Sequence, residues 1–176
     1  LGALANLAYH ADVCKEMAMS PAVVKAPFVT LLSNPDAPCL REACRMLQAC
    51  ISDEKKGVWR EDLEDEPVLN QLLCFLINSL DESLLLQVCQ LLHSAAFGFD
   101  VVTTELTHLH AGPIVAEVFI QQAGTEGHLR DAVLNLLYFP RWPARFWAEI
   151  VERDSEDRFV TALQTMLVQA VSEGSE

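Results

Sequence analysis

The sequence has little of the material from which turn-rich folds are built. Its 176 residues include only 7 glycines and 8 prolines, and aromatic residues make up 7%. Alternation of apolar and polar residues never persists long enough to indicate a β-strand, whereas apolar residues recur at three- and four-residue spacing nearly everywhere. Since that spacing is the period of an α-helix, the sequence predicts an all-α protein.

Positive charge is also scarce. The 12 lysines and arginines stand against 25 aspartates and glutamates, a formal net charge of −13. Nucleic acids and anionic membranes attract cationic proteins, so this balance predicts no nucleic-acid partner and no membrane partner. A basic protein partner, or solubility alone, fits an acidic chain better. The most apolar stretch, LNQLLCFLINSL, is too short to cross a bilayer and is interrupted by Asn and Gln.

No two cysteines have the C-x-x-C spacing of a metal or redox motif. The six cysteines all lie within residues 14–89, most of them among Leu, Ala, Val and Met at helical spacing. Cysteine is among the most buried residue types, and disulfides are rare in reducing compartments. We therefore predict reduced core thiols in an intracellular protein of the nucleus, the cytoplasm or both.

Motifs that carry catalysis are missing as well. The chain has no G-x-S-x-G, no H-E-x-x-H and no glycine-rich phosphate loop, so we predict that it is not an enzyme and holds no cofactor. In ELTHLH, Glu105 and His108 share a helical face while His110 lies off it, and no cysteine follows that could complete a metal site. The sequence therefore predicts no metal. A metal protein or enzyme built on His108 and His110 is the rival hypothesis.

The helices recur in a fixed order. A short, a medium and a long helix are predicted over Lys15–Met19, Val24–Ser33 and Asp36–Ile51, because capping residues and prolines punctuate the apolar pattern there. The same order is predicted again between residues 55 and 97. Three-helix units of this kind are typical of armadillo repeats.

The long helices recur at a period in the low forties. Four positions near their ends, Asn6, Ala49, Ser94 and Asn135, are separated by steps of 43, 45 and 41 residues. The period and the helix order predict an armadillo-like α-solenoid, a right-handed superhelix of three-helix repeats. We expect one domain within a fragment of a longer chain. Its expected divisions are 1–10 (the end of a truncated repeat), 11–53 and 54–99 (two repeats), and 100–176 (a diverged C-terminal repeat and a capping helix over Asp157–Val171).

Residues 1–97 also resemble a known family. The segments LGALANLAYHADVCKEM, LLSNPDAPCLREACRMLQACIS and CFLINSLDESLLLQVCQLLHSAAF, with a tryptophan-bearing short helix between the last two, are similar to the serum amyloid A-like (SAAL) family of armadillo-type proteins. LGALANLA by itself resembles the armadillo signature, in which a small residue precedes an asparagine on the third helix. The resemblance implies a nuclear or cytosolic protein that promotes cell proliferation through protein contacts. No specific resemblance covers the chain from about residue 100 onward.

In peptide-binding armadillo proteins that asparagine recurs in successive repeats and holds the backbone of an extended ligand. Here Asn6 and Asn135 keep the position, while Ala49 and Ser94 interrupt it. Because alanine cannot bond to a peptide amide, the interruption argues against importin-style recognition of basic peptides. We take Asn6, Ser94 and Asn135 as candidate partner-binding residues. The alternative is that the two asparagines satisfy backbone groups at neighbouring helix ends.

The aromatic segment YFPRWPARFWAEI is a second candidate surface. Pro140 and Pro143 break its helical pattern, so its rings cannot share one stripe and some are expected at the surface. Trp, Tyr and Arg are enriched in the hot spots of protein interfaces. The alternative is a junction between repeats, packed by the rings with the arginines over them. The candidates for partner binding in this segment are Arg141, Trp142, Arg145 and Trp147.

A third feature is the acidic connector over residues 53–66. It either attracts a basic partner segment with Trp59 as an apolar anchor, or it is a solvated linker with Trp59 in the core.

Together these patterns predict a non-enzymatic scaffold that binds protein or peptide segments. Binding is expected along the concave surface of the third helices or at the patch around Trp142 and Trp147. The alternative function is a transport or chaperone-cofactor adaptor of the same fold.

Overall fold

In a computed structural model, the regular secondary structure of the described residues is helical. The structure describes residues 1–33, 36–51, 59, 62–124, 127–154 and 156–173, and no strand occurs in these ranges. The prediction of an all-α protein is therefore confirmed. The helices of the described residues are α1 (Gly2–Ala8), α2 (Ala11–Ala18), α3 (Pro21–Ser33), α4 (Ala37–Ile51), α5 (Glu66–Asn78), α6 (Glu82–Gly98), α7 (Asp100–His108), α8 (Ala111–Gln122), α9 (His128–Leu137), α10 (Ala144–Arg153) and α11 (Arg158–Glu173).

The predicted bounds of α4 agree closely with the observed ones, whereas α2 begins four residues before the predicted Lys15 and α3 begins three residues before the predicted Val24. α4 ends at the predicted Ile51 and begins one residue after Asp36. The Asp36 carboxylate accepts a hydrogen bond from the backbone N–H of Cys39 at 3.3 Å, which satisfies one of the unpaired donors at the start of the helix. The predicted break at Pro140 and Pro143 lies between α9 and α10.

Four helices pack side by side in what we call the third-helix row. α1 contacts α4, α4 contacts α6, and α6 contacts α9. The four positions marked by the repeat period, Asn6, Ala49, Ser94 and Asn135, fall one on each of these helices. The spacing found in the sequence therefore corresponds to a succession of neighbours in space.

A second row packs against the first. α3 contacts α5 and α5 contacts α8, while α10 and α11 both pack on α8. Contacts between α3 and α4, between α5 and α6, and between α8 and α9 join the two rows. The buried side chains between them form one hydrophobic cluster that extends from Ala5 to Ala162. α4, α6 and α9 thus bury their apolar faces against the second row and against their own neighbours.

The core contains the side chains that the sequence placed there. Trp59 is fully buried, so the interpretation that it lies in the core is confirmed, while most of the surrounding acidic connector falls outside the described residues. The prediction of core thiols is confirmed for four cysteines, and Cys39 and Cys74 are half-buried. The four buried cysteines are Cys14, Cys44, Cys50 and Cys89.

The outer side of α11 exposes both polar and apolar side chains. Gln164 is exposed, as expected of a capping helix. Val160, Leu167 and Val168 are exposed beside it. Within the described ranges, no helix is both long enough and apolar enough to cross a membrane.

Candidate partner-binding surface

A cavity of about 370 Å³ opens along the third-helix row, and we call it the row groove. α4, α6 and α9 each contribute to its lining, together with the apolar side chains of Leu86 and Ala132. Most of the lining is polar and uncharged. The polar residues that line the row groove are Gln48, Gln90, His93, Ser94, His128, Asp131 and Asn135.

Two of the predicted binding residues meet in this groove. Ser94 on α6 is half-buried and Asn135 on α9 is exposed. Neither side chain forms a hydrogen bond within the described part of the chain, so both are available to a ligand. The repeat spacing therefore brings together residues that are 41 positions apart in the sequence.

Asn6 lies elsewhere on the row and has a different environment. It is exposed, and its Oδ1 accepts a hydrogen bond from Nη1 of Arg45 at 2.8 Å. Arg45 is itself held by Glu42 and also donates to the backbone carbonyl of Gly2 at 3.5 Å. The alternative that Asn6 satisfies a backbone group at a helix end is therefore wrong. Its partner is a side chain on the next helix of the row.

Sequence reasoning missed the polar residues one turn before the marked positions. Gln90 precedes Ser94 by four residues, and Asp131 precedes Asn135 by four. Residues at this spacing share a helix face, so both pairs line the same groove. The sequence signal for these residues is a polar side chain four positions before the marked residue, at Gln90 and at Asp131.

The row groove is close to neutral although the whole chain is strongly acidic. Asp131 is the one carboxylate among the residues that line it, and Nε of Arg130 lies 3.5 Å from its Oδ1. Burial lowers the pKa of His93, which keeps that imidazole uncharged at pH 7. The amides offer both donors and acceptors, so the groove suits a polypeptide backbone better than a charged side chain.

Three of the five rings of the aromatic segment are buried, namely those of Phe139, Trp142 and Phe146. Trp142 is 7% exposed, its ring stacks on Phe146 with centroids 4.1 Å apart, and it meets Phe139 edge-on at 5.9 Å. Its Nε1–H donates to the backbone carbonyl of Leu136 at 2.7 Å. Trp142 therefore lies in the core and not at the surface, because its only polar group is already bonded inside. The internal packing of these rings agrees with the alternative interpretation of the segment, while its position between two repeats stays a prediction.

The other candidates of the segment lie at the surface. Nη1 of Arg141 is 3.0 Å from Oδ1 of Asp100, and the guanidinium lies 6.0 Å from the centre of the Phe97 ring. Trp147 is 39% exposed and Arg145 is exposed. Arg141, Arg145 and Trp147 therefore remain accessible candidates, while Trp142 does not.

Arg145 belongs to a small charge cluster that joins α10 to the corner before α8. Its Nε donates to Oε1 of the buried Glu149 at 2.7 Å, and Nδ1 of His110 lies 3.1 Å from Oε2 of the same carboxylate. Burial alone would raise the pKa of Glu149. The hydrogen bonds and charges of Arg145 and His110 outweigh it, so the pKa of Glu149 lies below its ordinary value.

We expect Glu149→Gln to reduce the stability of the fold by about 1 kcal/mol at pH 7, because the neutral amide lacks the charge that strengthens the hydrogen bond from Arg145 and the contact with His110. A carboxyl group whose pKa is depressed on folding stabilises the protein above its unfolded pKa and loses that contribution as the pH falls through the folded pKa. The difference between wild type and variant should therefore shrink below about pH 4. Urea unfolding at pH 5 and 3.5 measures it, and a difference that is larger at pH 3.5 than at pH 5 contradicts the assignment.

The described residues give no support to the metal hypothesis. Nδ1 of His108 is 3.9 Å from Glu105, while His110 contacts Glu149, so the two histidines do not converge. Within the described ranges no three His, Cys, Asp or Glu side chains are arranged to hold a metal ion. Burial raises the pKa of the Cys44 and Cys89 thiols to about 12, which makes them poor nucleophiles at neutral pH.

The fold and the groove define an all-helical protein with two packed rows of helices and a polar surface along one of them. The chain is similar to "Protein saal1" of Danio rerio, with 32% identity over 94 residues. The match covers 52% of this chain and 20% of the relative, so the matched region spans about a fifth of the relative's length. This similarity agrees with the SAAL resemblance seen in the sequence. No protein-family model matches the chain, and no solved structure matches it.

Proposed function

We propose that the chain is an armadillo-type α-solenoid that acts as a non-enzymatic interaction scaffold and binds an extended protein segment in the row groove. The observation that carries the proposal is the meeting of Ser94 and Asn135, both without a side-chain partner among the described residues, in one polar cavity. Those residues are equivalent under the repeat spacing.

The arrangement of helices supports the solenoid. Stacked three-helix repeats bring the third helices of successive repeats side by side, and α1, α4, α6 and α9 are packed in that order. The second row, α3, α5 and α8, is the one expected from the middle helices. A repeat of forty-odd residues that contains three helices accounts for both rows, one formed by the third helices and the other by the middle helices.

The chemistry of the groove supports a peptide ligand. Amide side chains donate and accept hydrogen bonds, as a peptide backbone does, and the groove from α4 to α9 crosses two steps between neighbouring helices. Packed helices lie about 8–10 Å apart, so the groove is about 16–20 Å long. An extended chain rises about 3.3 Å per residue, which gives a bound segment of about five or six residues.

The SAAL resemblance and the similarity to saal1 support a cellular setting for this scaffold. On that basis we propose that it works in the nucleus or cytoplasm as a factor that promotes cell proliferation. The ligand would then be a segment of another intracellular protein.

The double variant Ser94→Ala/Asn135→Ala is expected to bind groove ligands at least about tenfold more weakly, since two hydrogen bonds of about 1 kcal/mol each are lost. Ligands are obtained by selecting a displayed library of random ten-residue peptides on the wild-type chain. Fluorescence polarisation with labelled peptides then gives the dissociation constants.

The matched control is Asn70→Ala/Ser83→Ala, which removes the same two kinds of side chain at exposed positions away from the groove lining. It should bind as the wild type does. A selection that yields no peptide, or peptides that bind both double variants equally well, would contradict the proposed function.

A further inference from the structure

One arginine side chain bridges the first two helices of the third-helix row. Nη1 of Arg45, on α4, donates a hydrogen bond to Oδ1 of Asn6 on α1 at 2.8 Å. Nη2 of the same guanidinium donates to the backbone carbonyl of Gly2 at 3.5 Å. Glu42 accepts hydrogen bonds from Arg45, so the guanidinium is also held by a carboxylate of its own helix. With 28% of its side chain exposed, Arg45 forms a half-buried, charge-assisted bridge across one step of the row.

The residues one turn before the marked positions form a second set of equivalent residues. Each precedes the marked residue of its helix by four positions, so the two sets share a helix face. The members of the second set are Gly2, Arg45, Gln90 and Asp131. Arg45 is therefore the counterpart, on α4, of two residues that line the row groove on α6 and α9.

Among the described residues, the other side chains of this set contact partners on their own helix. Oε1 of Gln90 accepts a hydrogen bond from Gln87 at 3.1 Å, and both belong to α6. Oδ1 of Asp131 lies 3.5 Å from Nε of Arg130, its neighbour on α9. The row groove opens along these later steps, and its lining comes from α4, α6 and α9. The bridge thus lies at the step where the groove ends.

The bridge occupies the groups that a ligand would use at this step. Amide and carbonyl oxygens accept hydrogen bonds from a peptide backbone. Arg45 already bonds to the amide oxygen of Asn6 and to the carbonyl oxygen of Gly2. A peptide N–H would have to displace a charged donor, whose hydrogen bonds are stronger than its own. A segment bound in the row groove therefore gains little by extending from α4 onto α1.

We infer that Arg45 closes the row groove at α1 and so determines the length of the segment that the groove accepts. The inference rests on the proposed function, and it makes Arg45 a specificity-determining residue that acts by occupying Asn6 and Gly2. Without the guanidinium, the groove would gain one more helix step of about 8–10 Å. An extended chain covers that distance with about three residues, so the bound segment would lengthen from about five or six residues to about eight or nine.

Arg45→Met tests the inference, because methionine keeps a flexible apolar stem on α4 and has no hydrogen-bond donor. Peptides selected on the wild-type chain are extended by four random residues at either end and selected again on the variant. The extended peptides are expected to bind the variant at least about fivefold more tightly than the parent peptides do, as measured by fluorescence polarisation. On the wild-type chain the same extensions should change binding by less than about twofold.

Two control substitutions show whether the released groups on α1 are responsible. Asn6→Ala should leave binding unchanged in the wild-type background, because Arg45 occupies that amide, and should remove most of the gain in the Arg45→Met background. Arg41→Met is the matched control. Arg41 is also a half-buried arginine of α4, but its Nη1 lies 3.9 Å from Oδ1 of Asp81 at the start of α6, so this substitution should give no gain.

A second measurement uses the unaltered chain and does not depend on how the variants fold. A photoreactive benzophenone side chain at either end of a selected peptide is expected to crosslink to α4, α6 or α9 and not to α1, as located by mass spectrometry. Crosslinks to α1, an Arg45→Met variant that gains nothing from longer peptides, or a gain that survives Asn6→Ala would each overturn the role of Arg45 and leave the groove as the binding site. A selection that yields no peptide would overturn the proposed function, and this inference with it.

Discussion

Replacing Trp142 by alanine is expected to lower the free energy of unfolding by about 4 kcal/mol, the range typical of a buried aromatic side chain. The stacked contact with Phe146 at 4.1 Å and the edge contact with Phe139 would be lost and a cavity left behind. The carbonyl of Leu136 would also lose its indole donor. Chemical unfolding followed by circular dichroism at 222 nm measures the change.

The control for this variant comes from the same segment. Tyr138 is 84% exposed, so Tyr138→Ala should change the free energy of unfolding by no more than about 0.5 kcal/mol. Small and equal effects of the two substitutions would show that Trp142 does not pack as described. The expected contrast also means that lost binding in a Trp142 variant reports on folding and not on a contact with a partner.

Replacing Gly112 by alanine is expected to cost about 2–3 kcal/mol, because the added methyl group has no room. A Cβ atom at this position would lie 2.6 Å from the backbone carbonyl oxygen of Phe146 and 3.3 Å from a side-chain carbon of Ile150. A backbone atom of a packed helix cannot move aside as a flexible side chain can, so α8 and α10 would have to separate. Chemical unfolding of the variant measures the cost.

Gly124 is the matched control for Gly112. A Cβ atom at Gly124 would meet nothing within 4 Å, and its backbone has no positive φ angle. Gly124→Ala should therefore be neutral within about 0.5 kcal/mol, or slightly stabilising through the unfolded state. A Gly112→Ala variant as stable as the Gly124→Ala variant would mean that α8 and α10 do not approach so closely.

The features that depend on local patterns could be predicted from the sequence. The bounds of α4 follow from an apolar face and a capping Asp36, and the break between α9 and α10 follows from Pro140 and Pro143. The repeat period also identified four residues that lie on successive helices of one row. These predictions worked because helix caps, prolines and apolar spacing act through neighbouring residues in the chain.

The partners of individual side chains could not be predicted in the same way. Nothing near Asn6 in the sequence indicates that Arg45, on another helix, donates to it. The burial of Trp142 depends on rings and a carbonyl brought together by the turn after α9. Similarly, the corner before α8 uses a left-handed His110, with φ 57° and ψ 39°, a conformation that the residue type does not indicate. Tertiary packing determines these side-chain partners, this burial and this backbone conformation.

The most direct test of the account is the distance between helices of the third-helix row. Spin labels are attached to cysteines introduced at Tyr9, Phe97 and Tyr138, in a background without Cys39 and Cys74, and distances are measured by pulsed electron paramagnetic resonance. The row predicts about 16–20 Å between positions 9 and 97, two helix steps apart, and about 24–30 Å between positions 9 and 138, three steps apart. A distance between positions 9 and 138 that is equal to or shorter than the distance between positions 9 and 97 would contradict the side-by-side packing of the third-helix row. It would also contradict the row groove, which depends on that packing.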